Sequence, residues 1–185
     1  MATTDLSHFL NPKQAVTLAK IRDSMKVADF GAGSGFFTRA AAHQVGPNGL
    51  VYAIDVNRGL LGRLDAMAIL EGYTNIEYVC GDLETPHGSA LPENSVDVVI
   101  ISNLLFIAEH KDRIIEEAWR ILHKGGRAIV IDWKDSFNNM GPHKDHVVTR
   151  EDVIALAEKG GGFSYLEDIE AGDFHYGVIL KKTGK

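Results

Sequence analysis

Short apolar runs recur along the chain at Lys26–Phe30, Leu50–Asp55, Ile76–Cys80, Ser95–Ile101 and Arg127–Asp132. Runs of this length, apolar on both alternations, read as strands covered on both faces. Between them the spacing changes to every third or fourth position. Val16, Leu18, Ala19 and Ile21 mark a first helix from Asn11-Pro12 to about Ser24, with Asn11 as N-cap. A second helix is expected from near Gly35 to Val45. A third is expected from Asn57 to Gly72, with Leu60, Leu61, Leu64, Met67, Ala68 and Leu70 as its core face. Ile114, Ile115, Ala118, Trp119, Ile121 and Leu122 give a fourth, from Asp112 to Leu122, stopped by a turn at 123–126. Thr149 and Asp152 form a near capping box for a last helix that ends at Gly160-Gly161-Gly162. Two strands close the chain, Phe163–Ile169 and Phe174–Lys182, around a turn at 171–173. Strands alternating with helices predict an α/β sheet with helices on both faces.

The first strand runs into Asp29-Phe30-Gly31-Ala32-Gly33-Ser34-Gly35-Phe36-Phe37. Strand, glycine-rich turn and helix is the opening of a doubly wound nucleotide-binding sheet. Glycine lets the backbone turn tightly and lets a ligand come close. The helix N-terminus offers unpaired N–H groups to that ligand. The dinucleotide fingerprint is G-x-G-x-x-G. Here the glycines stand at 31, 33 and 35, and Phe36 occupies the place of the third dinucleotide glycine.

An acid, one residue, then G-x-G-x-G resembles the first motif of class I S-adenosylmethionine (SAM) dependent methyltransferases. The second strand closes on Asp55, where an acid can accept hydrogen bonds from both ribose hydroxyls; NAD would ask for the same acid. In the resembled family, an acid in the turn after the third strand binds the adenine amino group and its apolar neighbour lines the ring. Asp82 and Leu83 hold those places. The resemblance also places the backbone after the fourth strand beside the methionine end of SAM, which implies a role for Asn103. The resemblance covers about 27–182 and is nearest to the small ubiquinone/menaquinone-biosynthesis-type methyltransferases. It implies a Rossmann-like doubly wound sheet of seven strands, mostly parallel with an antiparallel last strand. It also implies SAM as cofactor and S-adenosylhomocysteine (SAH) as product. The cofactor-binding set is then Asp29, Gly31, Ala32, Gly33, Gly35, Phe36, Asp55, Val56, Asp82, Leu83 and Asn103. Ser102-Asn103-Leu104-Leu105 lacks the prolines and aromatic of enzymes that methylate nucleic-acid bases, and Asn103 is not the carboxylate of metal-dependent catechol-type enzymes.

The 185 residues predict one domain, an N-terminal helical segment over 1–25 and a core over 26–182. No apolar run approaches a membrane span and no leader pattern opens the chain. Cys80 is the only cysteine, which fits a reducing, cytoplasmic setting and argues against arsenic capture by several thiols. A net charge of −6 and no basic face beyond the Lys181–Lys185 tail argue against nucleic acid and favour a small-molecule acceptor. A second subunit, as in a homodimer, is an alternative cover for the acceptor site. The 133–148 segment is long for a loop and mixes Trp133, Phe137 and Met140 with Asp135, His143, Asp145 and His146. With His8-Phe9-Leu10 it is the expected lid over the acceptor. His143 and His146 are the candidate catalytic bases, with Asp132 and Asp135 behind them. As a metal set they are thin, and no metal is expected. The rivals are an NAD-dependent oxidoreductase, a SAM-binding module without transfer activity, and a methyltransferase acting on a protein.

Overall fold

The computed structural model describes residues 10–137, 140–159 and 162–184. Its strands are β1 (Lys26–Phe30), β2 (Leu50–Asp55), β3 (Ile76–Cys80), β4 (Val96–Ser102), β5 (Leu122–Trp133), β6 (Phe163–Ile169) and β7 (His175–Lys182). Its helices are α1 (Pro12–Leu18), α2 (Phe36–Val45), α3 (Arg58–Leu70), α4 (Lys111–Ile121) and α5 (Arg150–Lys159). The strands form one sheet in the order β3-β2-β1-β4-β5-β7-β6. All neighbours are parallel except β7, which runs antiparallel to both β5 and β6. This is the expected seven-stranded sheet with a reversed last strand.

Alternation along each strand divides the core between the two faces. Ala28, Phe30, Ile101 and Val130 face α4 and α5. Val27, Val51, Ile100 and Ile131 face α1 and α2, and Ala53 meets Leu61 and Leu64 of α3 on that same face. Chain order reverses between β1 and β4. Ligands of open α/β sheets bind outside the strand carboxyl ends at such a switch point.

Several boundaries differ from the sequence expectation. Helix α1 stops at Leu18 rather than near Ser24. Lys20 adopts a left-handed φ of 58°; its N–H donates to the Thr17 carbonyl and the Ile21 N–H to that of Val16. That is a Schellman stop, with Ile21 and Val16 as its buried apolar pair. Helix α3 buries only Leu61, Leu64 and Ala68; Met67 and Leu70 are exposed. The turn at 123–126 lies within β5. Val96 pairs with Leu122 and Val98 with Arg127, so these four residues loop out of the ladder, with Gly125 at φ 79°. The stretch after β5 is not structureless: Phe137 and Met140 form an antiparallel bridge and Lys144–His146 a 3-10 turn. Thr149 and Asp152 do close the expected box, each backbone N–H donating to the other's side chain. Residues 160 and 161 of the glycine stop lie outside the described residues.

Candidate active site

The glycine loop is held from three sides. The N–H groups of Gly31 and Ala32 donate to the Ile54 carbonyl of β2 at 2.9 and 3.0 Å. The Gly33 N–H donates to Asp55 Oδ2 at 2.9 Å. Leu104, after β4, lies 3.0 Å from where a Gly31 side chain would begin. At Gly35 a Cβ would fall 2.0 Å from Leu64 of α3, and φ is 77°. Glycine at 35 therefore answers to packing and backbone together.

Gly35 is also the N-cap of α2 and has no side chain with which to cap it. Asp29 supplies the cap from β1. Its carboxylate accepts from the Thr38 hydroxyl at 2.5 Å and from the Thr38 backbone N–H. Thr38 is the third helical residue, where a cap bond belongs. Asp29 is only 2% exposed, and burial pushes its carboxyl up to about 7 against these bonds and with the help of nearby Asp55. The acid before the loop is thus a buried helix cap and not an open counter-charge.

Asp55 bridges the loop and α3. Besides accepting from Gly33, its Oδ1 accepts from the Asn57 N–H at 2.8 Å. Val56 follows it, 65% exposed. At the end of β3, Asp82 is exposed and accepts from the Glu84 N–H, whereas Leu83 is buried in the main core. This turn is pinned to α4 through the loop that follows it. Glu117, 5% exposed, accepts from the N–H and hydroxyl of Ser89 and from Arg120. Burial alone would raise Glu117; the bonds from Arg120 and Ser89 outweigh it and hold its carboxyl below the usual range.

A cavity of about 480 Å³ opens over the loop, lined by Leu10, Pro12, Asp29, Gly31, Ala32, Gly33, Ser34, Phe36, Phe37, Ser102 and Asn103. The size is that of a small-ligand site. Six of the eleven residues expected to hold a cofactor line it: Asp29, Gly31, Ala32, Gly33, Phe36 and Asn103. Asp55, Val56 and Asp82 continue from it along the ends of β2 and β3, while Gly35 and Leu83 serve packing. A groove of similar size between α4 and α5, lined by Trp119, Leu156 and Phe163 among others, lies on the other face and away from the glycine loop.

The expected lid is met only in part. Leu10 and Pro12 line the cavity, and His8 and Phe9 lie outside the described residues. No described residue of 133–148 lines it. Trp133 and His175 meet as a tilted pair with centroids 4.3 Å apart and planes 40° apart, and Phe137 meets Phe174 edge-on at 5.0 Å. His143 and His146 pair with each other at 6.4 Å, and both are exposed. Asp132 does not stand behind them. It is 1% exposed and accepts from the N–H groups of Leu105, Phe106 and Trp133. Burial pushes it up to about 6 in spite of those bonds. Its work is to hold the turn after β4.

The sequence reading passed over Thr38 and His175. His175 opens β7 opposite Trp133 of β5. It is 6% exposed, and its Nε2–H donates to Asn103 Oδ1 at 3.0 Å. Burial, with Lys134 nearby, lowers it to about 4. The available signal was a lone histidine on a buried strand that starts where β5 ends.

An α/β sheet of this order, with a glycine loop at the switch point and acids at the ends of β2 and β3, is the class I methyltransferase architecture. Residues 28–130, more than half of the chain, match the family described as "Methyltransferase domain", and the chain belongs to that family. It is 32% identical over 135 residues to the ubiquinone/menaquinone biosynthesis C-methyltransferase UbiE of Pseudomonas savastanoi pv. phaseolicola, a match that takes in 72% of this chain and 51% of the relative. It is 28% identical over 163 residues to the arsenite methyltransferase of Halobacterium salinarum, covering 87% of this chain and 38% of that one. The chain therefore spans about half of the length of the first of these curated relatives and less of the second. A SAM-dependent methyltransferase from Aquifex aeolicus shares the fold with a TM-score of 0.85, at 23% identity, over 97% of this chain and 94% of that structure.

Proposed function

We propose that the chain binds SAM across the glycine loop and transfers its methyl group to a small-molecule acceptor. The observation that carries this is the tie between Asp55 and the Gly33 N–H, which sets a carboxylate beside a cavity of about 480 Å³ at the switch point. In this reading the ribose hydroxyls meet Asp55, the adenine lies along exposed Val56 with its amino group toward Asp82, and the amino-acid end reaches over Gly31–Gly33 to Asn103. SAM carries no phosphate, and Phe36 stands where a dinucleotide loop has its third glycine, so the loop suits SAM better than a dinucleotide.

The reaction is an in-line displacement. The acceptor's electron pair forms a bond to the methyl carbon, the carbon–sulfur bond breaks, and its pair stays on sulfur in SAH. The sulfonium is already a good leaving group, so alignment and exclusion of water supply most of the catalysis. Leu10, Pro12 and Phe37 make the apolar wall for the acceptor. An acceptor that carries a proton would need a base. His143 or His146 fills that role only if the 134–148 segment closes over the cavity, because both side chains are exposed in this state. SAH affinity should then be unchanged in His143→Ala and His146→Ala, as read by calorimetry.

The relatives named for quinone and arsenite methylation act on small molecules, and that supports a small acceptor here. With one cysteine in the sequence, capture of arsenite by several thiols is the less supported of the two chemistries. The test is methyl-labelled SAM offered with a panel of small phenols, quinols and arsenite. Label should appear on one small molecule and SAH should accumulate with it. Label carried only by added protein or RNA would contradict the proposal.

A further inference from the structure

The histidine at the start of β7 stands behind the cavity wall and belongs to no step described so far. Asn103, which lines the cavity, has a left-handed φ of 52°, a conformation that asparagine tolerates better than most residues. Two bonds hold it there. Its N–H donates to the Ile131 carbonyl at 2.9 Å, and its Oδ1 accepts from His175 Nε2 at 3.0 Å. His175 is itself fixed, 94% buried and packed at a tilt against the Trp133 ring.

The chemistry of the pair sets the orientation of the amide. With Nε2–H donating, the neutral ring leaves Nδ1 bare, and Nδ1 is buried without a hydrogen-bond partner. A second ring proton would be a buried donor with no acceptor, which burial penalises. The imidazole is therefore a neutral donor at Nε2, and it fixes Oδ1 of Asn103 toward itself. The Nδ2 amide is left as the donor end, and no described protein group accepts from it. Turning the amide over would set Nδ2 against the Nε2–H. Asp55 and Asp82 claim the adenosine end of the proposed cofactor along β2 and β3. The amino-acid end then falls at β4, where Asn103 stands, and its carboxylate is an acceptor that matches Nδ2.

The geometry points to His175 as a positioning residue: by holding the Asn103 amide, it turns a donor toward the carboxylate of the cofactor's amino-acid end. This rests on the SAM reading above. His175 acts through Asn103 and does not touch the reacting atoms.

The test uses two probes, SAH and 5′-methylthioadenosine, which has the adenosine and the thioether but lacks the amino-acid end. Wild type, His175→Phe, His175→Gln and Asn103→Gly are titrated by calorimetry. Phenylalanine keeps the ring and its stacking but loses the donor, while glutamine can present an amide N–H near the Nε2 position. Glycine keeps the φ of 52° and removes the amide. The expected result is a loss of SAH affinity of roughly tenfold in His175→Phe and in Asn103→Gly. Methylthioadenosine affinity should be unchanged, and His175→Gln should recover most of the SAH affinity. The double variant His175→Phe/Asn103→Gly should lose no more than Asn103→Gly alone. If His175→Phe binds SAH like wild type, or loses both probes equally, the inference is overturned. If His175→Phe does not fold, Asn103→Gly decides, and wild-type preference for SAH in it is equally fatal. A wild type that binds neither probe would bring down the cofactor reading itself, an outcome separate from those.

Discussion

Asp29 is where residue chemistry and motif part company. An acid two residues before the first glycine suggests a charge waiting for a cationic ligand. In the fold it caps α2 for a glycine that cannot, and burial raises its carboxyl to about 7. The folded state then holds a proton that the unfolded chain, with a carboxyl near 3.8, gives up. Stability from this group is lost as pH rises from about 4 through about 7, and is flat above that. His175, lowered to about 4, works the other way below its ordinary value. A comparison of Asp29→Asn with wild type isolates the first group. The variant's melting temperature relative to wild type should rise between about pH 4 and pH 7 and level off above that. A constant difference across that range would mean that Asp29 is charged throughout. Asp55 carries a second prediction. Because it accepts from Gly33 and Asn57, Asp55→Ala should cost the fold about 1–2 kcal/mol as well as weakening SAH by about 1.5–3 kcal/mol, measured by denaturant melts and calorimetry. An unchanged SAH affinity would place the ribose elsewhere.

Among the elements, the glycine loop and α3 test each other. Gly35→Ala would drive a Cβ into Leu64 and force φ 77° on a residue with a side chain. It should destabilise the fold by about 2–4 kcal/mol in denaturant melts. Trimming Leu64 to alanine in the same chain should relieve the clash but not the backbone strain. Strands were the most legible elements, because buried parallel strands are apolar on both alternations and short. Helix ends were less so. Lys20 supplies the left-handed residue that ends α1, and nothing marks a lysine in the sequence as a substitute for glycine there. Met67 and Leu70 fit the helical period of α3 yet point to water, since β3 is the sheet edge and no further layer of the described residues covers α3. The detour at 123–126 carried turn residues, but whether they ended a helix or bulged a strand depended on β4 across the ladder.

For the whole molecule, the sheet order brings together residues far apart in the chain. Asp29, Asp55, Asn103 and His175 come from four strand ends, and β7 must run antiparallel for His175 to arrive beside β5. The first three could be read from local motifs and from the family they resemble. The His175–Asn103 pair spans 72 positions and was invisible until β7 was laid beside β5. The candidate bases show the converse: His143 and His146 belong to a segment whose composition suits a lid, yet in the fold both are exposed while Phe137 packs on Phe174 and Val148 joins the core.

The decisive property of the molecule is which adenosine cofactor its switch-point cavity takes. Calorimetric titration of the wild-type chain with SAH and, separately, with NAD measures this directly. The predicted result is saturable one-to-one binding of SAH and no binding of NAD, with the SAH signal weakened in Asp55→Ala. Binding of NAD in the absence of any SAH signal would contradict the account.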